Sequence, residues 1–327
     1  MDKTILSKGV TIFNVDVSSL KLIGGFSNNV FEGVRNSKKV ILKFYPSSKY
    51  NKDSIIAELD WISFLFKSGV KVTAPIYSSN NRLIEVIRIN NGEEYCVVAF
   101  EKAKGTFINT SDKNTWNKDI FYKLGKTMGR IHFLSKQYQP SDRSIKRQEW
   151  DMGPLFSEYF GNGYEGVVVK WEKYINMLNQ LPMDIEGYGM IHNDLHQGNF
   201  FLYNNEVILF DFGDCEYNWF VYDIAIVLYH AVQSISDEDS HRRLEFATIF
   251  MKAFLHGYSK ENNLDSYWLA KLPFFLNYRQ IYSYIYFERF LNEDQKINKK
   301  TKQKLNTMRA RIESDTPFVN LSYKDFT

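Results

Sequence analysis

Ile191-His192-Asn193-Asp194-Leu195-His196-Gln197-Gly198-Asn199-Phe200 is followed, at residues 211–213, by Asp211-Phe212-Gly213. Two short polar turns thus carry a carboxylate, an amide and a second carboxylate: Asp194, Asn199 and Asp211. Between them, Asn199 to Tyr203 and Val207 to Phe212 read as the strands of an apolar hairpin turned at Asn204-Asn205-Glu206. Alone, Asp194 reads as a loop or capping carboxylate. The three together, at fixed spacing around one hairpin, point to a chemical site.

Working outward, the chain changes character near Lys102-Ala103-Lys104-Gly105. Before that point strands dominate: Leu20 to Val34 around the turn Gly24-Gly25-Phe26-Ser27-Asn28-Asn29, Lys39 to Tyr45, Leu83 to Ile89, and Glu94 to Phe100 after Asn90-Asn91-Gly92. One amphipathic helix interrupts them, with Ile55, Ile56, Leu59, Ile62, Leu65 and Phe66 near a 3.6 period, Asp53 placed to cap it and Gly69 ending it. After that point long helical patterns take over, at residues 116–137, 167–181, 242–259 and 269–291, and residues 296–304 read as a solvated lysine-rich helix or loop. At 327 residues the chain exceeds the ~250–300 over which one core usually grows, so two parts are expected, over 1–102 and 103–327.

Composition narrows the classes. Hydrophobic residues make up 44% and charged residues 24%, and a net charge of +3 leaves no polyanion-binding surface, so no nucleic acid partner is expected. Two cysteines, Cys96 and Cys215, cannot make a disulfide framework or a zinc site. No signal-peptide pattern opens the chain, and no apolar run approaches ~18 residues, the stretch from Phe220 to Val232 being broken by Asp223. A cytoplasmic protein, off the membrane, monomeric or homodimeric, is the expectation.

The His-x-Asp, the Asn five positions after that Asp, and the hairpin ending in Asp-Phe-Gly resemble the catalytic and metal-binding loops of protein kinases. The wording around His196-Gln197-Gly198-Asn199 is similar to the aminoglycoside phosphotransferase and choline kinase family. Over nearly the full length, the order of features also resembles the bacterial subgroup of homoserine kinase type II and a stress-response Ser/Thr kinase. The resemblance implies an α+β, bilobal protein-kinase-like fold, with a small antiparallel sheet and one helix in the first lobe and a larger helical second lobe. It implies ATP as phosphoryl donor and Mg²⁺ as cofactor, oxygen ligands suiting that ion. By the same resemblance Asp194 orients the acceptor hydroxyl and takes its proton late, while Asn199 and Asp211 hold the metal. His192 would brace the loop, Asp223 would secure it from the next helix, and His196 either lines the acceptor site or is a packed loop histidine.

In the first part, Lys43 sits among Val40, Ile41, Leu42, Phe44 and Tyr45, where a lysine needs an anionic partner, and Glu58 lies on the following helix. The resemblance implies that Lys43 contacts the α and β phosphates and is held by Glu58. Asp60 lies about 200° around that helix from Glu58 and leaves the face to it. Residues 24–31 are not Gly-x-Gly-x-x-Gly. They are similar to the phosphate-covering turn of small-molecule kinases, in which Gly25, Ser27 and Asn28 approach the phosphates. Spacing makes Val98 to Ala103 the connector, with backbone groups of Phe100 to Lys102 pairing with the purine.

No Ala-Pro-Glu segment or long activation loop follows Gly213. The leading reading is therefore a kinase of a small-molecule hydroxyl acceptor, such as an antibiotic, amino alcohol or sugar. A bacterial Ser/Thr protein kinase of the same fold and a nucleotide-binding pseudokinase are the alternatives, the last opposed by the presence of Lys43, Glu58, Asp194, Asn199 and Asp211 together. For the acceptor side, Tyr278, Tyr282 and Tyr286 recur every four residues near Arg279, Glu288 and Arg289, as core or as pocket. Trp150, Asp151, Asp214 and Glu216 are candidate rim residues, and a cationic aminoglycoside would need carboxylates around Asp194.

Overall fold

In the computed structural model, residues 2–24, 29–89, 92–157 and 164–327 are described. In chain order the elements are α1 (Lys3–Ile12), β1 (Asp16–Gly24), β2 (Val30–Arg35), β3 (Lys38–Pro46), α2 (Lys52–Lys67), β4 (Pro75–Ile76), β5 (Ile84–Arg88), β6 (Glu94–Glu101) and α3 (Lys118–Ser135). Then come α4 (Pro154–Ser157), α5 (Glu165–Leu178), β7 (Tyr188–Ile191), β8 (Phe200–Tyr203), β9 (Glu206–Leu209), β10 (Glu216–Trp219), α6 (Phe220–Val232) and α7 (Ser240–Tyr258). The chain closes with α8 (Ser266–Leu269), α9 (Leu272–Phe290), α10 (Glu293–Ile297), α11 (Lys299–Glu313) and α12 (Tyr323–Phe326). They cluster into one compact unit of Met1–Thr106, Tyr138–Arg147 and Phe200–Gly213, and a second of Phe107–Gln137, Gln148–Asn199 and Asp214–Thr327.

The first unit is built on an antiparallel sheet ordered β1-β2-β3-β6-β4, with β5 also on β6. Its central strand β3 alternates. Val40, Leu42 and Phe44 pack with Ile5, Val10 and Phe13, and period two sends Lys43 to the opposite face. Helix α1 adds a second helix to the expected one. Its Thr4, Ile5, Val10, Thr11 and Ile12 are β-branched and argue against a helix. Asp2 caps it by accepting from the Thr4 amide at 2.6 Å, and burial of Ile5 and Val10, about 1.5–3 kcal/mol each, decides the outcome. The cap of α2 is Asn51, which accepts from the Asp53 amide; Asp53 itself sits in the first turn, where its charge suits the helix dipole. The β8–β9 hairpin turns on Asn204 and Asn205, both in the left-handed region, and is tied to the chain after α2 by Leu209 N–H to Lys71 O and Thr73 N–H to Leu209 O.

In the second unit α6 is buried on all sides, as its apolar composition requires. Helices α3 and α7 approach so closely that the contact needs glycine. A Cβ on Gly125 would fall 1.9 Å from Phe254 O, and one on Gly257 1.9 Å from Tyr122 O. That approach brings His132, near the end of α3, against Tyr258 at the end of α7. The β7–β10 ladder, absent from the sequence reading, pairs Ile191 with Glu216 and Tyr188 with Trp219, leading the chain straight into α6. Its strands are four residues each, too short for a period to show. The lysine-rich 296–304 segment falls within α10 and α11, whose Leu305, Met308 and Ile312 are buried. Among the described residues no helix is long and apolar enough to cross a membrane.

The helix contact is testable by volume alone. Gly125→Ala should destabilise the protein by about 3 kcal/mol and lower Tm by roughly 5–10 °C in calorimetry, because the added methyl meets main chain rather than a movable side chain. An unchanged Tm would contradict the described approach.

Candidate active site

In the second unit, the loop after β7 is held from beneath by Asp223 of α6. The Asp223 carboxylate is fully buried and accepts from the amides of His192 at 3.0 Å and Asn193 at 2.9 Å, and from His132 Nε2 at 3.1 Å. Burial lowers the His132 pKa, so the ring is neutral. With Nε2–H on Asp223, His132 Nδ1 accepts from the Tyr258 hydroxyl at 2.9 Å, and that hydroxyl accepts from Asn262 Nδ2 at 2.8 Å. Asn193 takes φ +67°, a left-handed conformation that asparagine tolerates, and its side-chain amide donates to Asp214 O at 3.0 Å. His192 is buried, and its Nδ1 lies 3.4 Å from the Asp194 amide.

These restraints present Asp194 as a partly exposed carboxylate. Asn199 Nδ2 donates to its main-chain oxygen at 2.8 Å and to Oδ2 at 3.1 Å. Arg279 and His230 lie 3.5 and 4.0 Å from Oδ1, and His196 lies 3.5 Å from Oδ2. Burial pushes the Asp194 pKa up, but His196, Arg279 and His230 outweigh it and bring it down to about 2. His196 Nδ1 accepts from the Gly198 amide at 2.9 Å, so the proton-bearing ring nitrogen is Nε2, 3.5 Å from Asp194. His196 is half-buried beside Asp194, a position that both readings of it allow. Sequence reasoning missed His230. It lies seven residues beyond Asp223, on the same face of α6, and that spacing was a usable signal.

In the first unit, Lys43 forms its ion pair with Asp211 at 2.9 Å, not with Glu58 as expected. Tyr45, two residues along the same strand, stands between the expected partners. Its hydroxyl reaches both Glu58 carboxylate oxygens, at 3.3 and 3.4 Å, and Lys43 Nζ lies 5.1 Å from its ring centre. Burial works against the Lys43 charge, but Asp211, Tyr45 and Glu58 raise its pKa well above the usual lysine value. Asp211 takes φ +62° and its side chain is 50% exposed. A Cβ on Gly213 would come within 3.0 Å of Lys43 Nζ, so the glycine leaves the ammonium room. Arg147 fixes this turn, donating to Gly213 O and to Ser54 Oγ, both at 2.7 Å. Asp60 accepts from Tyr138 and Ser141 and takes no part.

Other expected residues fare differently. Gly25, Ser27 and Asn28 lie outside the described residues, as do Asn90 and Asn91. Phe100 pairs with Ile41 and Pro75 in the sheet. Lys102 donates its amide to Lys39 O and pairs its ammonium with Glu32, so of its backbone groups only the carbonyl remains for a purine. Trp150 is buried against Trp219 and Phe156 and belongs to the core, not to a rim. Tyr278 is buried, stacked near Trp171, whereas Tyr282 is half-buried beneath the Arg279 guanidinium, 5.4 Å from its ring centre. Glu216 is buried and accepts from Gln148 and Asn218. Asp151 and Asp214 are exposed.

Asn199 and Asp211 suit a hard divalent cation. Both Asn199 Nδ2 hydrogen bonds run to Asp194, and its Oδ1 takes none among the described residues, while Asp211 offers an exposed carboxylate. Among the described residues no group of three His, Cys, Asp or Glu side chains could hold a metal ion.

Residues 19–266 match the model of the phosphotransferase enzyme family. The chain is 30% identical over 325 residues to the amicoumacin kinase of Bacillus subtilis (strain 168), covering 98% of this chain and 95% of that protein. Among solved structures, amicoumacin kinase hAmiN in complex with AMP-PNP, Ca²⁺ and Ami superposes with a TM-score of 0.91 at 31% identity, over 100% of this chain and 97% of that one. The microcompartment-associated aminopropanol kinase shares the fold, with a TM-score of 0.75 at 18% identity over 96% of each chain. On likeness of this extent, the chain belongs to the phosphotransferase enzyme family and is an ATP-dependent kinase whose acceptor is the hydroxyl of a small molecule.

Proposed function

We propose that the chain phosphorylates a hydroxyl of amicoumacin or of an antibiotic built like it, using Mg·ATP. The observation that carries the acceptor assignment is the likeness to hAmiN, which runs through all of this chain, helical part included, at a TM-score of 0.91. The divalent cation in that complex is Ca²⁺; for this chain we assign Mg²⁺, the usual partner of nucleotide phosphates.

Asp194 accepts the hydrogen bond of the acceptor hydroxyl and aims its oxygen at the γ-phosphorus. The new O–P bond forms as the bond to the β-phosphate oxygen breaks, ADP leaves, and the hydroxyl proton passes late to Asp194 and then to water. A carboxylate with a pKa about 2 is a weak base, which suits a loose transition state where orientation outweighs proton abstraction. Asn199 Oδ1 and Asp211 would hold the cation, which would supply positive charge to the phosphate oxygens. Lys43 binds the α and β phosphates, with Tyr45 and Glu58 fixing its position. Phe100 to Lys102 contact the purine.

The test is ADP release with Mg·ATP against amicoumacin, choline, homoserine, kanamycin, a sugar and a generic protein substrate. Amicoumacin should be the preferred acceptor, and preference for another would overturn the assignment. Asp194→Ala should cut transfer by about 10²–10⁴-fold with ATP affinity within about twofold of wild type, and undiminished transfer would remove Asp194 from the chemistry. Asp211→Ala should weaken Mg·ATP binding itself by at least about tenfold in titration calorimetry, and chelation by EDTA should stop turnover.

A further inference from the structure

Arg279 of α9 has no role in the scheme above, yet it is buried and lies 3.5 Å from the Asp194 carboxylate. A guanidinium has five N–H donors, and burying it without good acceptors is costly. Here every contact is long: 3.5 Å to the Tyr222 hydroxyl, 3.4 Å to His230 Nε2 and 3.5 Å to Asp194. Its Nε takes no hydrogen bond among the described residues. The charge nevertheless persists, because Tyr222 and Asp194 more than offset the effect of burial. Tyr282 lies against the guanidinium, which fixes its plane. The basic groups within 4 Å of the Asp194 carboxylate, among the described residues, are His196, His230 and Arg279. Glu216 is already bonded to Gln148 and Asn218.

We propose that Arg279 determines acceptor specificity: its Nη groups, which make only long contacts, take an oxygen carried next to the reacting hydroxyl, and its charge rejects acceptors with an ammonium in that place. The oxygen is a carbonyl, a second hydroxyl or a carboxylate, each of which accepts from the guanidinium fork. The inference rests on the reading of Asp194 as the group that orients the acceptor hydroxyl. Buried donors of this kind discriminate strongly, since an acceptor without the oxygen leaves them unpaired in a dry site.

The test uses the full-length enzyme and two variants, Arg279→Gln and Arg279→Met, the second keeping an unbranched apolar stem of similar length. Tm and AMP-PNP binding identify folded variants, so that one can stand in for the other. Steady-state transfer is measured with amicoumacin, ribose, choline and kanamycin, ribose offering oxygen beside each hydroxyl and choline an ammonium. In a folded variant the KM for amicoumacin should rise at least about tenfold, the KM for ATP should stay within about twofold, and the preference for ribose over choline should fall at least about tenfold. An amicoumacin KM unchanged in both variants overturns the proposal, as does wild-type preference for choline or kanamycin over ribose. If wild type does not use amicoumacin, the acceptor assignment fails by itself, and the ribose-to-choline ratio in wild type and variants still decides the role of Arg279.

Discussion

One buried carboxylate sets the shape of the loop that carries Asp194. Asp223 accepts from two successive amides, of His192 and Asn193, and from His132, so the peptide before Asp194 has one orientation available. Two adjacent N–H groups can converge on one carboxylate only where the chain turns sharply, and the turn is taken at Asn193 in its left-handed conformation. Asp194 follows directly and is delivered, partly exposed, to Arg279, His230 and His196. The support reaches further back: His132 is oriented by Tyr258, Tyr258 by Asn262, and α3 meets α7 only because Gly125 and Gly257 let their backbones touch. Packing between two helices remote from the chemistry thus fixes the direction of one carboxylate.

The Lys43 cluster in the first unit follows the same logic with different parts. Lys43 is kept charged in a buried position by Asp211, Tyr45 and Glu58, and the strained Asp211 backbone beside Gly213 keeps carboxylate and ammonium together. In place of the expected direct Lys43–Glu58 pair, Tyr45 puts a rigid ring between helix and strand. In the second unit, Asp194 has the cationic Arg279 and the imidazoles of His196 and His230 within 4 Å. Full-length likeness to a small-molecule kinase favours that class over a protein Ser/Thr kinase of the same fold.

Much of the fold was legible because it rests on patterns of local origin. The β3 alternation around Lys43, the 3.6 period of α2 and the Asn-rich hairpin turn each declare themselves within ten to fifteen residues. Helix α1 was not legible, since its β-branched residues favour a strand and only packing on the sheet reverses that preference. Nor was the β7–β10 ladder, whose partners lie 25 or more positions apart and hold four residues each. At the site, Asp194, Asn199 and Asp211 stood out by spacing, whereas His230 and the Tyr45 bridge depend on which faces meet in space. Trp150 shows the reverse error: an aromatic beside an acidic residue read as a rim, but it fills the core.

The dependence of catalysis on Asp223 is tested most directly by Asp223→Asn, which keeps size and shape but replaces one accepting oxygen by a donor facing main-chain N–H. With every residue of the chemistry intact, kcat should fall by about 100-fold while AMP-PNP affinity stays within about twofold, because a misaimed Asp194 loses orientation rather than nucleotide contacts. A kcat close to wild type would contradict the claim that this carboxylate holds the catalytic loop in its working shape.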